Sequence, residues 1–531
     1  GGTTVEQYDG LNRVYLSAKT STNPDGTVNV RTVDNYYFPD GGLQKEVVKE
    51  SGKPDIATDF TYDELGRKIT EKATRSGIAT ENKYMYDPNG NTLNTWLKDW
   101  SKLTNGEPFK NKITYTYDDL NRIKTEVSAN PAKSTTYNYD DNSRAVSLGS
   151  VGTLYYDVGG KIKRILANSG DYNYYYYPNN TLEKFVSVGT TASYTYNNEK
   201  IKTLKVMSGT NTLVDLGYEY KSDNKVEKAY ENGVLKKSYT YTTAGQVESL
   251  NGTEWYHYDA NGNLLTLDNR GTGLKKEYVF NTADQLLTQK VSQNGVLSKQ
   301  YSYSSYDAGG NLKQVEEKDA AGNILQTTKF GYNASDQLIS VTKERNGIIT
   351  QEISYEYNAN GNRSKKATGG KVYTYYYENG NIVKEEIAAN GNTTNILYQT
   401  DDKGNLINLN VNGKNYYYHF NNRGDTVALT DSAGTVVARY DYDTWGSGTI
   451  LSDSTSEKVA ALNPYRYVGK YGVRYDADTN MYLMSWRDYD PVSTRFIVPD
   501  TYEGQEDEPF SQNKYLYAEG DPVNNIDPDG H

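Results

Sequence analysis

The side chains that most enzymes use as nucleophiles or ligands are scarce in this chain. Its 531 residues include no Cys and only three His, at positions 257, 419 and 531. Without Cys there is no disulfide framework, no thiolate zinc site and no Cys nucleophile. A metal site or a Ser-His-Asp triad would need His257, His419 or His531. The first two occupy the middle of aromatic-x-aromatic triplets, so they should point away from the aromatic face as structural residues. No metal and no cofactor is expected. Carboxylates are what remains. From spacing alone, Asp488 and Asp490 read as turn residues beside a surface cation, Arg487. Trp445, Trp486, Met481 and Met484 read as packing.

The elements that must position any site are built on tyrosine. There are 53 Tyr, and aromatics reach 13% of a chain that is only 36% hydrophobic. Mean hydropathy is −0.83, which by itself would suit a disordered chain, but disordered chains are poor in aromatics. The net charge of −11 argues against nucleic acid as a surface partner. No apolar run approaches the ~20 residues of a membrane span, and no signal peptide heads the chain. The start, Gly1-Gly2-Thr3-Thr4, reads as a cut point inside a longer protein.

One pattern recurs: aromatic-x-aromatic, Asp or Asn, a short polar stretch with Gly or Asn, then Leu, Ile or Val. Tyr62-Asp63-Glu64-Leu65-Gly66-Arg67 and Tyr256-His257-Tyr258-Asp259-Ala260-Asn261-Gly262-Asn263-Leu264 are clear copies. Roughly twenty copies run from Tyr8 to Tyr442, with a mean period of about 23 residues, as in repeat architectures. The two rings of each triplet leave one face of a strand. The Asp or Asn opens a turn by bonding its own backbone, and Gly or Asn tolerates the positive φ there. Each repeat therefore predicts a β-hairpin. A lone hairpin is marginal in water, so it must stack on its neighbours. The expected fold is all-β: one long antiparallel sheet that coils on itself, with few helices and the Tyr rings as cross-strand pairs. The pattern ends near residue 445, and a denser segment follows. The domains are thus placed at 1–445, the repeats, and 446–531, a terminal core.

These residues resemble the YD repeat of the Rhs family, which includes bacterial Rhs and wall-associated toxins, the C component of insecticidal Tc toxins, and teneurins. The terminal segment carries the more specific likeness. Asn463-Pro464-Tyr465-Arg466-Tyr467-Val468-Gly469, Arg487-Asp488-Tyr489-Asp490-Pro491, Pro499-Asp500 and Asn513-Lys514-Tyr515-Leu516-Tyr517 are similar to the Rhs-associated core. Pro522-Val523-Asn524-Asn525-Ile526-Asp527-Pro528-Asp529-Gly530 fits that family's P-x-x-x-x-D-P-x-G string. Richness in Lys, Asn and Thr without Cys most resembles the wall-associated Gram-positive (WapA) type.

The resemblance implies a hollow, cocoon-like shell plugged by the core, which acts as an intramolecular aspartic protease. It implies a single cut just after the D-P-x-G motif, with Pro522, Asp527, Pro528, Gly530 and His531 forming the cleavage motif. His531 would be the residue left at the new terminus. Asp488 and Asp500 match the family's catalytic pair and Arg487 its basic neighbour. Two carboxylates sharing a proton can supply a base for water and an acid for the leaving amine. A geometric difficulty attends this pair. If Met481–Tyr489 and Arg495–Asp500 form a regular hairpin, Asp500 lies about 13 Å along the strand from Asp488 at 3.3 Å per residue. Pro499 must then fold Asp500 back. The implied partner is the chain's own C-terminal toxin domain, held inside the shell of a secreted monomer. Wall association would come through N-terminal regions. The shell would bind no nucleic acid and span no membrane. The competing expectation is a cell-wall or carbohydrate-binding adhesion module without proteolysis, which predicts an exposed aromatic groove.

Overall fold

The computed structural model describes residues 2–22, 28–50, 55–75, 77–99, 111–129, 131–307, 309–502, 504–505 and 508–530. Among them, forty strands run from β1 (Gly2–Tyr8) to β40 (Gly448–Asp453). Each pairs antiparallel with the next in sequence, as at β1 with the strand Val14–Thr22 and at the strand Val436–Tyr442 with β40. Four short strands follow: β41 (Arg474–Asp476), β42 (Met481–Met484), β43 (Arg487–Asp490) and β44 (Arg495–Phe496). They form a separate antiparallel sheet. The sheet continues past residue 445, where the repeat pattern stops, through β40. β40 lacks the Tyr signature, but it satisfies the open edge of the strand before it. No helix among the described residues is long and apolar enough to cross a membrane.

The repeat turn is a side-chain device. At Asp259 the backbone N–H bonds the Asn263 carbonyl at 3.0 Å. One carboxylate oxygen accepts from the N–H groups of Asn261 and Asn263, both at 2.9 Å, and the other from the Asn263 amide at 2.9 Å. Gly262 sits at φ 83°, where a Cβ would be strained. Arg replaces the last Asn in several copies, and Arg122 closes the same loop on Asp118 at 2.7 Å. The Asp or Asn thus satisfies backbone donors that the reversal removes from the ladder.

The two rings of each triplet divide the work. The first is buried in the later copies, as at Tyr256, Tyr278 and Tyr355. Where the second is Tyr, it donates its hydroxyl to a backbone carbonyl at the start of the preceding return strand. Tyr258 bonds Val247, Tyr306 bonds Leu286 and Tyr332 bonds Leu312, at 2.8, 2.8 and 2.7 Å. The register shifts by one residue at each of these turns, and the hydroxyl takes up a carbonyl beside the shift. Tyr is the usual residue at this position, although Phe280 and Phe420 fill it in two copies, and the hydroxyl bond replaces the expectation of simple ring pairing. Tyr332→Phe should lower stability by about 1 kcal/mol, the usual net worth of such a bond. Tyr8→Phe, whose hydroxyl meets exposed Glu6, should be close to neutral. Denaturant unfolding of both variants checks this.

The strip winds on itself. Bonds between successive windings join residues 204 to 265 apart in sequence, from Asn422 with Tyr218 to Thr95 with Asn360. Arg75 reaches Asp336 at 2.6 Å. Glu378 accepts from the Ser150 N–H at 2.6 Å and from Lys133. The strands Leu406–Val411 and Lys414–Phe420 are largely buried on both faces. Ile407 and Tyr417 pack on Leu154, Ile165 and Tyr172 of the earlier winding. Leu409, Tyr416 and Tyr418 join Tyr465, Tyr467, Tyr489 and Tyr517 of the terminal core. That core touches the later winding from Lys225, through Asp521, to Gly446, through Tyr482. One winding therefore encircles it.

Candidate functional site

The site residues are set by a tight reversal that no Gly or Asn announces. Met484 pairs with Arg487 and Leu483 with Asp488, so the chain turns at Ser485-Trp486. Ser485 takes a left-handed φ of 51°. β43 is therefore a new, four-residue strand rather than the end of a long one. Its successive side chains leave opposite faces.

Arg487 is buried and leaves one face. Its Nη2 lies 2.8 Å from Asp500 Oδ2 and 3.3 Å from Asp527 Oδ2. Its Nη1 donates to the Lys514 carbonyl at 3.0 Å, and its Nε to the Gly530 carbonyl. The guanidinium carbon sits 3.6 Å from the centre of the Phe496 ring. Burial pushes the guanidinium pKa down, while Asp500, Asp527 and Asp529 oppose that shift. Asp527 also accepts from the Gly530 N–H at 2.8 Å. Asp500 is placed by its own N–H, which bonds the Lys514 carbonyl at 2.8 Å. Arg487, Asp500 and Asp527 face an open cavity of about 1190 Å³, rimmed by Tyr502, Phe510 and Asn525.

Asp488 leaves the other face. It is buried, with Oδ2 3.1 Å from Arg363 Nη2 of the shell. Burial pushes its carboxyl pKa up, Arg363 pulls it back, and Asp476 adds to the rise. The structure thus brings together Arg487, Asp500, Asp527 and Gly530, and does not bring Asp488 to Asp500. The chain leaves the sheet after Phe496, before Pro499, and the segment that follows delivers Asp500 to Arg487. Arg363 also lines a cavity of about 640 Å³ together with Pro528 of the terminal motif.

The motif is held by the shell as well. Asp521 pairs with Lys225 at 2.6 Å, and the Pro522 carbonyl accepts from Arg423 Nη1. Asn524 accepts from the Val226 N–H at 2.8 Å. Sequence reasoning missed Lys225, Arg363 and Arg423. Each immediately follows or lies within a repeat turn, and the only available signal was a cation at a position that varies between copies.

The remaining expectations resolve as follows. His257 is exposed, with Nδ1 3.1 Å from the Thr266 hydroxyl. His419 is buried with Nε2 2.9 Å from Thr430, and burial, with Arg439, pushes it down to about 4. Trp445 stacks edge-on to Tyr256, and Met481 and Met484 are buried. Trp486 is half-exposed and covers the turn at Gly361. His531 lies outside the described residues.

A sequential antiparallel strip wound around its own C-terminal segment defines a β-shell protein. The teneurin YD-shell family model matches residues 177–523, and the chain belongs to that family. It is 33% identical over 290 residues to the tRNA3(Ser)-specific nuclease WapA of Bacillus spizizenii, covering 52% of this chain and 11% of that protein. It is 23% identical over 527 residues to teneurin-4 of Homo sapiens, covering 94% and 17%. The chain thus spans between a tenth and a fifth of the length of these relatives. The crystal structure of TcdB2-TccC3 has a similar fold, with a TM-score of 0.55 at 15% identity over 99% of this chain and 32% of that one. The Photorhabdus luminescens Tc holotoxin pore gives 0.52 at 14% identity over 99% and 31%.

Proposed function

We propose that this chain is the shell and self-processing core of a secreted polymorphic toxin used against competing bacteria. The shell would enclose a toxin domain that follows the core. The core would free it by one intramolecular aspartyl cut on the C-terminal side of Asp527-Pro528-Asp529-Gly530. Wall association would belong to N-terminal regions. The likeness to WapA nucleases and to a Tc holotoxin supports the toxin reading.

The observation that carries the cleavage reading is the grip of Arg487 on the Gly530 carbonyl beside two carboxylates. In this reading Arg487 fixes the backbone just before the cut. Asp500 and Asp527 share its Nη2. One carboxylate takes a proton from the attacking water, and the other gives a proton to the leaving amine as the C–N bond breaks. Asp488 secures the plug through Arg363.

The test extends the chain beyond His531 with a soluble tag and follows the C-terminal mass. The parent should be cut after the motif. Asp500→Asn and Asp527→Asn, which each leave Arg487 one carboxylate partner, should each block the cut. Asp488→Asn should lose cleavage only as far as it loosens the plug. Cleavage that survives both Asp500→Asn and Asp527→Asn would sink the aspartyl mechanism.

A further inference from the structure

The winding has a seam where its ring closes. On one side lie the strands between Leu213 and Tyr241, on the other those between Asn421 and Tyr442. Three bonds cross it directly. Lys237 Nζ donates to the Tyr442 carbonyl at 2.7 Å, Arg439 Nη2 to the Leu213 carbonyl at 2.8 Å, and the Asn422 N–H to the Tyr218 hydroxyl at 3.3 Å. These partners are 205, 226 and 204 residues apart. Between the two sides is a cavity of about 1400 Å³, lined by Val226, Tyr239, Arg423, Tyr440 and Val523. This cleft opens to solvent, and polar bonds at its margin hold the two sides together.

The terminal motif begins on this seam. Asp521 and Pro522 are neighbours in sequence, yet opposite sides hold them. Lys225 takes the Asp521 carboxylate at 2.6 Å, and Arg423 takes the Pro522 carbonyl. Asn524 adds the Val226 N–H at 2.8 Å and the Tyr241 hydroxyl at 3.0 Å on the first side. Arg423 is itself fixed by Asp425 at 2.7 Å and lies 4.5 Å from the Tyr467 ring centre. The two cations approach each other only when the strip has completed its turn. An open ring would present Lys225 or Arg423, but not both at this spacing.

We propose that Pro522–Gly530 is a latch read by ring closure, and that Lys225 and Arg423 are positioning residues that permit self-cleavage only in a closed shell. This deepens the self-cleavage reading and rests on it for the consequence, not for the latch. Closure orders the motif's first residues, and the chain then delivers Gly530 to Arg487. Misplacing a reacting backbone by about 1 Å can cost a factor of about 100 in rate. The coupling would keep an unsealed shell from releasing its contents.

Two readouts test the latch in the chain extended beyond His531: the rate of cutting, and amide hydrogen exchange over residues 521–530. Lys225→Met and Arg423→Ala should each slow the cut by about 100-fold and raise exchange in the motif. Lys225→Arg, which keeps the charge facing Asp521, should restore both. Lys237→Met touches no motif residue but removes a seam bond. It should raise exchange in the motif and slow the cut. If Lys237→Met loosens 213–220 and 437–442 while the motif stays protected and is cut at the parental rate, the latch is wrong. If the parent itself is never cut but these variants still release the motif, the latch stands and the self-cleavage reading falls. Where Arg423→Ala does not fold, the Lys225 and Lys237 variants decide.

Discussion

Replacing Asp488 by alanine is expected to destabilise the terminal core by about 3–5 kcal/mol, the cost of stripping one partner from a buried ion pair. The side chains of Arg363 and Asp488 are only 3% and 7% exposed and meet at 3.1 Å. Arg363 cannot give up its proton to relieve the loss, and its Nε has no other partner. It stacks on Tyr355, 3.9 Å from the ring centre, so it cannot swing to solvent without uncovering that ring. Arg363→Met should be similarly costly. The double variant Asp488→Leu with Arg363→Met should recover much of the loss, because an apolar pair of similar volume often replaces a buried ion pair at little cost. Denaturant unfolding with hydrogen exchange on β43 measures all three. If both single variants cost under about 1 kcal/mol, the usual worth of an exposed pair, then this contact does not seat the core. The experiment also separates two roles that a cleavage assay alone would merge. A catalytic aspartate can be lost at small cost in stability, whereas this one cannot.

The fold was legible because its unit is short and its physics local. Asp259 bonds its own turn within four residues, and the Tyr258 hydroxyl reaches a carbonyl 11 residues away. Such contacts fix residue types at fixed spacing, so they repeat visibly. The winding was not legible. Arg75 with Asp336, and Ser150 with Glu378, are 261 and 228 residues apart. Each such contact uses a different pair of residue types, so no period records it. The same reason hid half of the candidate site. Arg487, Asp488, Asp500 and Asp527 stood out as motif residues, but Arg363, Lys225 and Arg423, which hold Asp488, Asp521 and the Pro522 carbonyl, belong to repeats that look ordinary. The separation of Asp488 from Asp500 was hidden by a two-residue reversal. Ser485 adopts a left-handed conformation usually taken by Gly or Asn, so the sequence read as one continuous strand. On that strand Arg487 and Asp488 still had to face opposite ways, and alternation alone could have questioned a site that used both.

Gly530→Ala is expected to slow self-cleavage by about 100-fold, through misplacement of the backbone that Arg487 holds. Gly530 has a φ of 77°, and a Cβ there would come within 3.2 Å of the Arg487 N and closer still to the Met484 carbonyl oxygen. Both atoms belong to the backbone of the β42–β43 reversal, which cannot yield as a flexible side chain would. The motif must move instead. Its carbonyl would then leave Arg487 Nε, and its N–H would leave Asp527. Gly252→Ala is the matched control. Its φ is 64° with nothing near the added methyl, so it carries a left-handed strain of about 1–2 kcal/mol without displacing the motif. Gly252→Ala should therefore melt earlier yet be cut at the parental rate, while Gly530→Ala should be cut slowly even where both variants are fully folded. The contrast matters because both changes put a Cβ at a left-handed φ, while Gly530→Ala alone adds a backbone clash. Only the one inside the Arg487 cradle should affect the reaction, and equal rates for the two variants would mean that the bond is aligned somewhere else.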